Sequence, residues 1–484
     1  MHGLNRQAGQ RTHRSNFCFE RFGIGRSFVG RLNAIFARNA SDRLRHSDIP
    51  VLKHAGSGRV APVGRRPKGF GSPLGFGATL GFGSTLSFGS QPVPIPYACG
   101  MRIDFVITEL NMGGAEKALT EIALTMQRQG HQVRVLSIGS PPVGDRGVLA
   151  DRLADEDLAV HFGGFDHWIR LPSAMRWLKR LLRQDPPELC QTFLFHANCL
   201  GTFAAAESNV PFRIGGVRVA ESIAWRCHIE RRAAAKMDRV TCVSERVRRF
   251  VIHRLNVDPQ KCVTIPNGVD VTRFASAEPF DWRQLGWDPA SKVALFVGRF
   301  HPQKGLELIR KQTQRLFATA DHKLLLVGDG PLRSSLQDWA DSVGSDQIQL
   351  IPWQREVAPL MKAAQMVLLP SHYEGMPNVM LEAMAAGRPV VCSLVEGSDE
   401  LLPQKVPAQD PVTAKLDRRS LQGFPPGDSA AMAERAERFF ADEVLCQRVG
   451  AANQKDVQDR FSIASMTDAY AALYQRLQTA QPDP

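Results

Sequence analysis

Short apolar runs that stop at glycine-bearing loops and pass straight into a helical period occur in two series along this chain. That pattern restricts it to a parallel α/β architecture more tightly than any other feature. In the first series Arg102–Thr108 predicts a buried strand, and Asn111-Met112-Gly113-Gly114-Ala115-Glu116 forms a tight junction. Ala118, Leu119, Ile122, Ala123 and Met126 then mark one face of a helix, Gly130-His131 ends it, and Val133–Ile138 is the next strand. Leu189–Leu194, Arg213–Val219 and Arg239–Val243 read as further strands, the last preceded by a helix at Ile229–Lys236. The second series runs through strands at Val293–Val297, Lys323–Val327, Ile348–Ile351, Met366–Leu369 and Val390–Cys392, which complete a second parallel sheet.

A chain of 484 residues, 43% hydrophobic and 22% charged, is long enough for two such domains, each with its own core. The turn-rich Thr264-Ile265-Pro266-Asn267-Gly268-Val269-Asp270 separates the two series and sets a boundary near Arg273, giving domains 101–272 and 273–464. Residues 1–100 stand apart. They are rich in Arg and poor in acid, and Phe70, Phe76, Phe82 and Phe88 are each followed by glycine at a spacing of six. Such a stretch cannot bury enough surface to offset its chain entropy, so disorder is expected. A disordered extension, a transit-like targeting segment and an upstream translation outside the natural protein all stay open; a strand beginning right after Met101 favours the last.

The basic pI near 9.5 is a property of that extension: residues 1–100 hold fourteen Lys/Arg against three Asp/Glu, and the rest is nearly balanced. A nucleic-acid-binding surface on the folded body is therefore not expected. The nine cysteines show neither C-x-x-C pairs nor metal-ligand spacing, and Cys190, Cys199, Cys242 and Cys392 lie among apolar neighbours. Buried reduced thiols in a cytosolic protein account for them better than a disulfide frame. No apolar run reaches the length of a membrane span. Arg170–Gln184 is an amphipathic helix, with Leu171, Met175, Leu178, Leu181 and Leu182 on one face and Arg176, Lys179, Arg180 and Arg183 on the other. An anionic membrane surface is a candidate partner for it, and a surface helix covering the sheet is the plainer alternative.

Candidate site residues cluster on strand-to-helix loops, where open α/β sheets gather ligands. Paired Gly113 and Gly114 present backbone N–H groups to an anion, but no third glycine and no acid at the end of the next strand complete a dinucleotide fingerprint. His196 follows the Leu189–Leu194 strand, where it either acts at the reacting centre or bonds local backbone. On Gly298-Arg299-Phe300-His301-Pro302-Gln303-Lys304-Gly305, Arg299 and Lys304 are two cations able to hold a diphosphate without a metal. The most informative stretch runs from Pro370 through Glu374, Gly375, Met376, Pro377 and Asn378 to Glu382. Glu374 lies on a loop and Glu382 on a helix beginning near Asn378 or Val379, so carboxylates for hydroxyls stand beside amides for phosphate.

Gly113-Gly114-Ala115-Glu116, Asn267-Gly268-Val269-Asp270, Gly298-Arg299 with Lys304-Gly305, Gly328-Asp329-Gly330-Pro331 and the Glu374-x7-Glu382 pair, in this order, resemble the retaining glycosyltransferases called glycosyl transferases group 1. The resemblance spans 101–484. It implies the GT-B fold: two Rossmann-like α/β domains facing across a cleft, with a final helix in 465–484 returning to the first. It further implies a nucleotide-sugar substrate, with no metal and no resident cofactor. Arg299 and Lys304 would hold the donor diphosphate, Glu382 the ribose, and Glu374 with Gly375–Asn378 the sugar and phosphate. Gly113 and Gly114 would close from the other side, and the leaving phosphate would serve as base. The acceptor is expected to be a saccharide or lipid-linked, in cell-surface polysaccharide or glycoconjugate assembly, in the cytoplasm or on the inner face of the cytoplasmic membrane.

Two departures from the family pattern stand out. The loop histidine common in the family would fall at Phe193 rather than His196, and Val395-Glu396-Gly397-Ser398-Asp399-Glu400 has one glycine where a pair is usual. A nucleotide-sugar 2-epimerase on a similar fold, or a non-catalytic nucleotide-sugar or membrane-binding protein, is the alternative. The first does not bear the Glu-x7-Glu pattern; the second does not require Arg299, Lys304 and Glu382.

Overall fold

In the computed structural model, residues 100–167, 170–395, 397–402 and 417–479 are described here. The expectations for the extension 1–100 lie outside them, apart from Gly100, as does Glu396 of the single-glycine loop.

Seven parallel strands form the first sheet: β1 (Arg102–Ile107), β2 (Gln132–Ser137), β3 (Ala159–Phe162), β4 (Leu189–Phe193), β5 (Phe212–Val217), β6 (Arg239–Cys242) and β7 (Cys262–Thr264). Their order is β3-β2-β1-β4-β5-β6-β7. Six more form the second sheet: β8 (Lys292–Val297), β9 (His322–Val327), β10 (Ile348–Ile351), β11 (Met366–Leu369), β12 (Val390–Ser393) and β13 (Gly423–Phe424). Their order is β10-β9-β8-β11-β12-β13. The order of each sheet reverses direction once, between β1 and β4 and between β8 and β11. Those reversals are where connections leave in opposite directions and a crevice opens above the strand ends.

Helices cover both faces, so the central strands are mostly apolar: Ile103, Phe105, Val106 and Ile107 of β1 and Val293–Phe296 of β8 are buried, and the buried Asp104 of β1 is paired with Arg134. The helix Gly114–Arg128 lays Ala118, Leu119, Ile122, Ala123 and Met126 on the first sheet. It stops where Gly130 takes φ +91° and the His131 amide returns to the Met126 carbonyl. The helix foreseen at Ile229–Lys236 instead runs Ala224–Ala234.

Three strands escaped the sequence reading. β3, β7 and β13 are sheet edges two to four residues long, and short edge strands carry no apolar run to betray them. The second sheet therefore does not end at Val390–Cys392; Gly423–Phe424 adds a sixth strand.

The helix Ile463–Thr479 packs on the first sheet although it follows the second in sequence. Met466, Tyr470, Tyr474 and Leu477 belong to the core that holds Phe105 and Phe193. The buried phenols find partners in Thr241 Oγ1 at 3.5 Å and Gln191 Oε1 at 3.3 Å. The described cysteines are unpaired, and all but Cys227 are buried. No described helix is long and apolar enough to cross a membrane. The helix Leu171–Gln184 spends its apolar face, Ala174, Met175, Leu178 and Leu182, in the core. Lys179 pairs with Glu207 at 2.7 Å and Arg183 donates to the Glu207 carbonyl, which ties these two cations back to the fold, while Arg176 and Arg180 are exposed.

Candidate functional site

The two loops at the β8/β11 reversal are pressed together by the absence of a side chain. Gly305 holds φ +66°, and a Cβ there would lie 2.0 Å from the Pro370 carbonyl oxygen. The contact delivers Lys304 to Glu374: Nζ lies 2.6 Å from Oε1, which also accepts from Ser371 Oγ at 2.7 Å. The His372 amide donates to the Gln303 carbonyl at 2.8 Å and Gln303 Nε2 to the Tyr373 carbonyl at 2.9 Å. His301 Nδ1 accepts from the Gln303 amide and fixes the turn that carries Lys304. Arg299, on the same loop, is exposed and has no ion-pair partner among the described residues. One cation is thus held in place and the other is free to engage an anion.

The stretch Gly375–Asn378 faces the first half of the chain. A Cβ on Gly375 would lie 2.0 Å from the Arg218 carbonyl oxygen, and one on Gly397 (φ +77°) 2.1 Å from the Gly375 carbonyl oxygen. The lone glycine of the Val395–Glu400 loop therefore sits where both conformation and space exclude a side chain. The Asn267 amide donates to Met376 Sδ, and Asn267 Nδ2 to Asn378 Oδ1 at 2.6 Å. Pro377 precedes the helix Asn378–Ala385, which carries Glu382. Glu382 is buried and accepts from Lys117 Nζ, of the first half, at 2.8 Å. A second latch is Glu400, whose two carboxylate oxygens accept from the Glu245 and Arg246 amides at 2.9 Å each, at the positive end of the helix Glu245–Arg254.

On the first half, Gly114 touches Asn378: its Cβ would lie 3.0 Å from Asn378 Nδ2. Gly113 faces Glu116, whose carboxyl folds back over the junction, 2.2 Å from where a Gly113 Cβ would be. The Ala115 and Glu116 amides lie close enough to act on that carboxyl, so the N–H groups expected to be open sit beneath the chain's own acid. Burial pushes the pKa of Glu116 up to about 7, against the pull of those amides and of Arg218. Arg218, at the C-terminal end of β5, is buried, donates to Asn267 Oδ1 and lies over the Phe193 ring at 5.8 Å.

His196 stands on the same wall but apart from this cluster. It opens the helix Phe195–Glu207, edge-on to the Phe195 ring at 5.2 Å. Desolvation and the neighbouring Arg226 cation lower its pKa, although the residue as a whole is exposed. The preceding Leu194 takes φ +72° and ψ 158°, a strained backbone for a branched side chain. Asn198 braces this corner with bonds to Thr192, Glu230 and the Gly216 amide and carbonyl.

Glu374, Lys304, Gly375, Met376, Pro377, Asn378 and Glu382 therefore share one surface with Gly113 and Gly114, while His196 is not joined to it. Lys117 and Arg218 were missed. Lys117 reads as one more polar helix residue, and Arg218 was absorbed into the strand Arg213–Val219, although a cation at the end of an apolar run was the available signal.

Residues 291–442 match the family described as Glycosyl transferases group 1, and residues 112–273 match Glycosyltransferase Family 4. UDP-Gal:alpha-D-GlcNAc-diphosphoundecaprenol alpha-1,3-galactosyltransferase of Escherichia coli is 29% identical over 278 residues, 53% of this chain and 72% of that protein. Lipopolysaccharide core biosynthesis glycosyltransferase LpsD of Rhizobium meliloti (strain 1021) is 28% identical over 206 residues, 42% of this chain and 55% of that protein, so the match spans little more than half its length. Anabaena Alr3699/HepE, solved in complex with UDP-glucose, superposes with a TM-score of 0.65 at 18% identity, covering 78% of this chain and all of that one. At that identity the likeness establishes the fold.

Proposed function

The chain belongs to the glycosyl transferases group 1 family and is a glycosyltransferase with a nucleotide-sugar donor; from that premise we propose that it moves a sugar from a UDP- or GDP-sugar, with retention and without a metal, to a saccharide or lipid-linked acceptor in cell-surface polysaccharide or glycoconjugate assembly. The observation that carries the donor assignment is the Gly305–Pro370 contact, which sets Lys304 and Glu374 side by side above the β8/β11 reversal. Arg299 and Lys304 neutralise the donor diphosphate, Lys304 as a cation already held in place and so without the reorganisation that water would require. Glu382 accepts the ribose hydroxyls, and Glu374 with Gly375–Asn378 meets the sugar and its phosphate. Gly113 and Gly114 bring the first half down on the donor.

The bond from the anomeric carbon to the β-phosphate oxygen breaks as the acceptor hydroxyl oxygen attacks that carbon from the same face. The leaving phosphate oxygen takes the hydroxyl proton, so no side-chain base is required and positioning supplies the rate. His196 is read as a hydrogen-bonding partner at the reacting centre. The acceptor classes named for the Escherichia coli and Rhizobium meliloti relatives support a lipid-linked or lipopolysaccharide acceptor. They also fit work at the cytoplasmic face of a membrane, which the outward cations of Leu171–Gln184 would approach.

The test uses the full chain with UDP- and GDP-sugars in the presence of EDTA. Donor hydrolysis or transfer is expected to survive chelation and to be lost in Lys304→Ala and Glu382→Ala. Full activity of either variant would sink the donor-site assignment. A thermal-shift screen of nucleotide sugars identifies the donor, because a bound ligand raises the melting temperature by mass action.

A further inference from the structure

The loop that follows β5, Arg218 to Ile223, has two ends with different tasks. Its Arg218 carbonyl presses on Gly375 in the cleft. At the other end Ser222 is the lip of a groove of about 360 Å³ between the helices Ala224–Ala234 and Glu245–Arg254. That volume lies within the range of small-ligand sites, about 300–1,000 Å³. Cys227, His228 and Arg231 come from the first helix, and His253 and Arg254 from the second.

None of the residues lining the groove is acidic. The nearby carboxylates are spent elsewhere: Glu221 on Arg226, Glu230 on Asn198, Glu245 on Arg248 and Thr264, Asp238 on Arg213. Arg231 Nη2 donates to the Arg254 carbonyl at 2.8 Å, which covers the negative end of the second helix. The first helix opens at the groove with its positive end, and Ile223 at its N-cap makes no side-chain bond to the first-turn amides. Two guanidinium groups, two imidazoles and a helix N-terminus thus converge on a space with no counter-charge.

We propose that this groove binds the diphosphate through which the acceptor saccharide is joined to its lipid. The inference rests on the lipid-linked-acceptor reading above and says where that acceptor is held. Ser222 stands four positions after Arg218, so the groove begins within about 14 Å of the Gly375 contact. A short saccharide spans that gap, with its diphosphate in the groove and its hydroxyl at the cleft. Arg231 and Arg254 take the phosphate oxygens, and planar guanidinium groups suit that pairing.

Binding of inorganic pyrophosphate is measured by calorimetry on the full chain, with the donor site saturated by UDP or GDP, whichever raises the melting temperature. Wild type is expected to bind, and Arg231→Gln and Arg254→Gln each to bind on the order of tenfold more weakly, the worth of a charge-assisted hydrogen bond. Arg231→Lys keeps the charge and should fall between. Donor hydrolysis should be unchanged in all of them, which separates this site from the donor site and shows that the variants fold. With an acceptor offered both as a prenyl diphosphate and as a simple alkyl glycoside, only the KM of the first should rise. No pyrophosphate binding beyond the donor site, or equal KM changes on both acceptors, overturns the proposal. So does loss of binding to phosphatidylglycerol vesicles with the diphosphate acceptor's KM unmoved, which would make the groove a headgroup contact. Absence of any donor hydrolysis in wild type would instead strike the enzymatic reading, leaving the pyrophosphate measurement to judge the groove.

Discussion

Lys117 Nζ, on the first helix of the first half, lies 2.8 Å from Glu382 Oε1, the carboxylate assigned to the donor ribose. The lysine is 40% exposed and the glutamate 8%. The pair therefore orients a buried acid from across the cleft while remaining screened on one side. Lys117→Met leaves Glu382 without its cross-cleft partner. Because solvent reaches the lysine, the pair is worth at most about 1 kcal/mol, so the donor KM should rise roughly 2- to 5-fold. Lys117→Arg should restore most of it. Steady-state kinetics in donor concentration check this; an unchanged KM with a lowered kcat would show that Lys117 acts elsewhere.

Gly305 and Gly375 both meet a carbonyl oxygen at 2.0 Å from where a Cβ would be, yet their replacements should fail differently. Gly305 joins two loops of one sheet and holds φ +66°, so Gly305→Ala strains the fold itself. The cost is about 1–3 kcal/mol of stability, read by denaturant unfolding, together with loss of activity. Gly375 meets the other half at the Arg218 carbonyl. Gly375→Ala is relieved by the halves moving apart, so stability should stay near wild type while transfer falls.

The charge state of Glu116 should be visible in stability. Its folded pKa, raised by burial to about 7, exceeds the ordinary carboxylate value of 4.5. The folded chain therefore holds a proton between those values that the unfolded chain has released. Stability is fully present below about pH 4.5 and declines as pH rises toward 7, by at most on the order of 3 kcal/mol. Glu116→Gln should abolish this component, so the variant gains on wild type at pH 8 relative to pH 5. Urea unfolding at the two pH values measures it; parallel behaviour of the two proteins would show that the amides of Ala115 and Glu116 keep the carboxylate ionised.

Much of this was legible beforehand because buried parallel strands must be apolar and glycines must stand where backbone meets backbone. β1 and β8 showed themselves through Ile103–Ile107 and Val293–Val297, and Gly305 and Gly375 through their motifs. β13 did not, since two residues at a sheet edge carry no period. Contacts between distant parts were equally hidden. Nothing local to Lys117 indicates Glu382, 265 positions away, and the cap that Glu116 places over Gly113 depends on a side-chain rotamer. The amphipathic period of Leu171–Gln184 was correctly seen, but periodicity cannot tell a core from a bilayer. Packing of Met175, Leu178 and Leu182 in the protein interior decides it.

Lys304 and Glu374 offer a way to separate stability from donor binding. Glu374 is 9% exposed and Lys304 19%, and removing only the lysine leaves a nearly buried carboxylate with Ser371 as its remaining donor. Lys304→Ala should therefore lose about 2–4 kcal/mol of stability as well as activity. Glu374→Ala removes the orphaned charge, and the double variant should regain most of the stability while staying inactive, giving a coupling energy of about 1–3 kcal/mol. Arg299→Ala, which breaks no ion pair among the described residues, should lose donor affinity with unfolding unchanged. Denaturant curves and donor hydrolysis on the four variants test the whole pattern. If the double variant is no more stable than Lys304→Ala, the ion pair is not what holds this corner together, and Lys304 contributes through its packed stem instead.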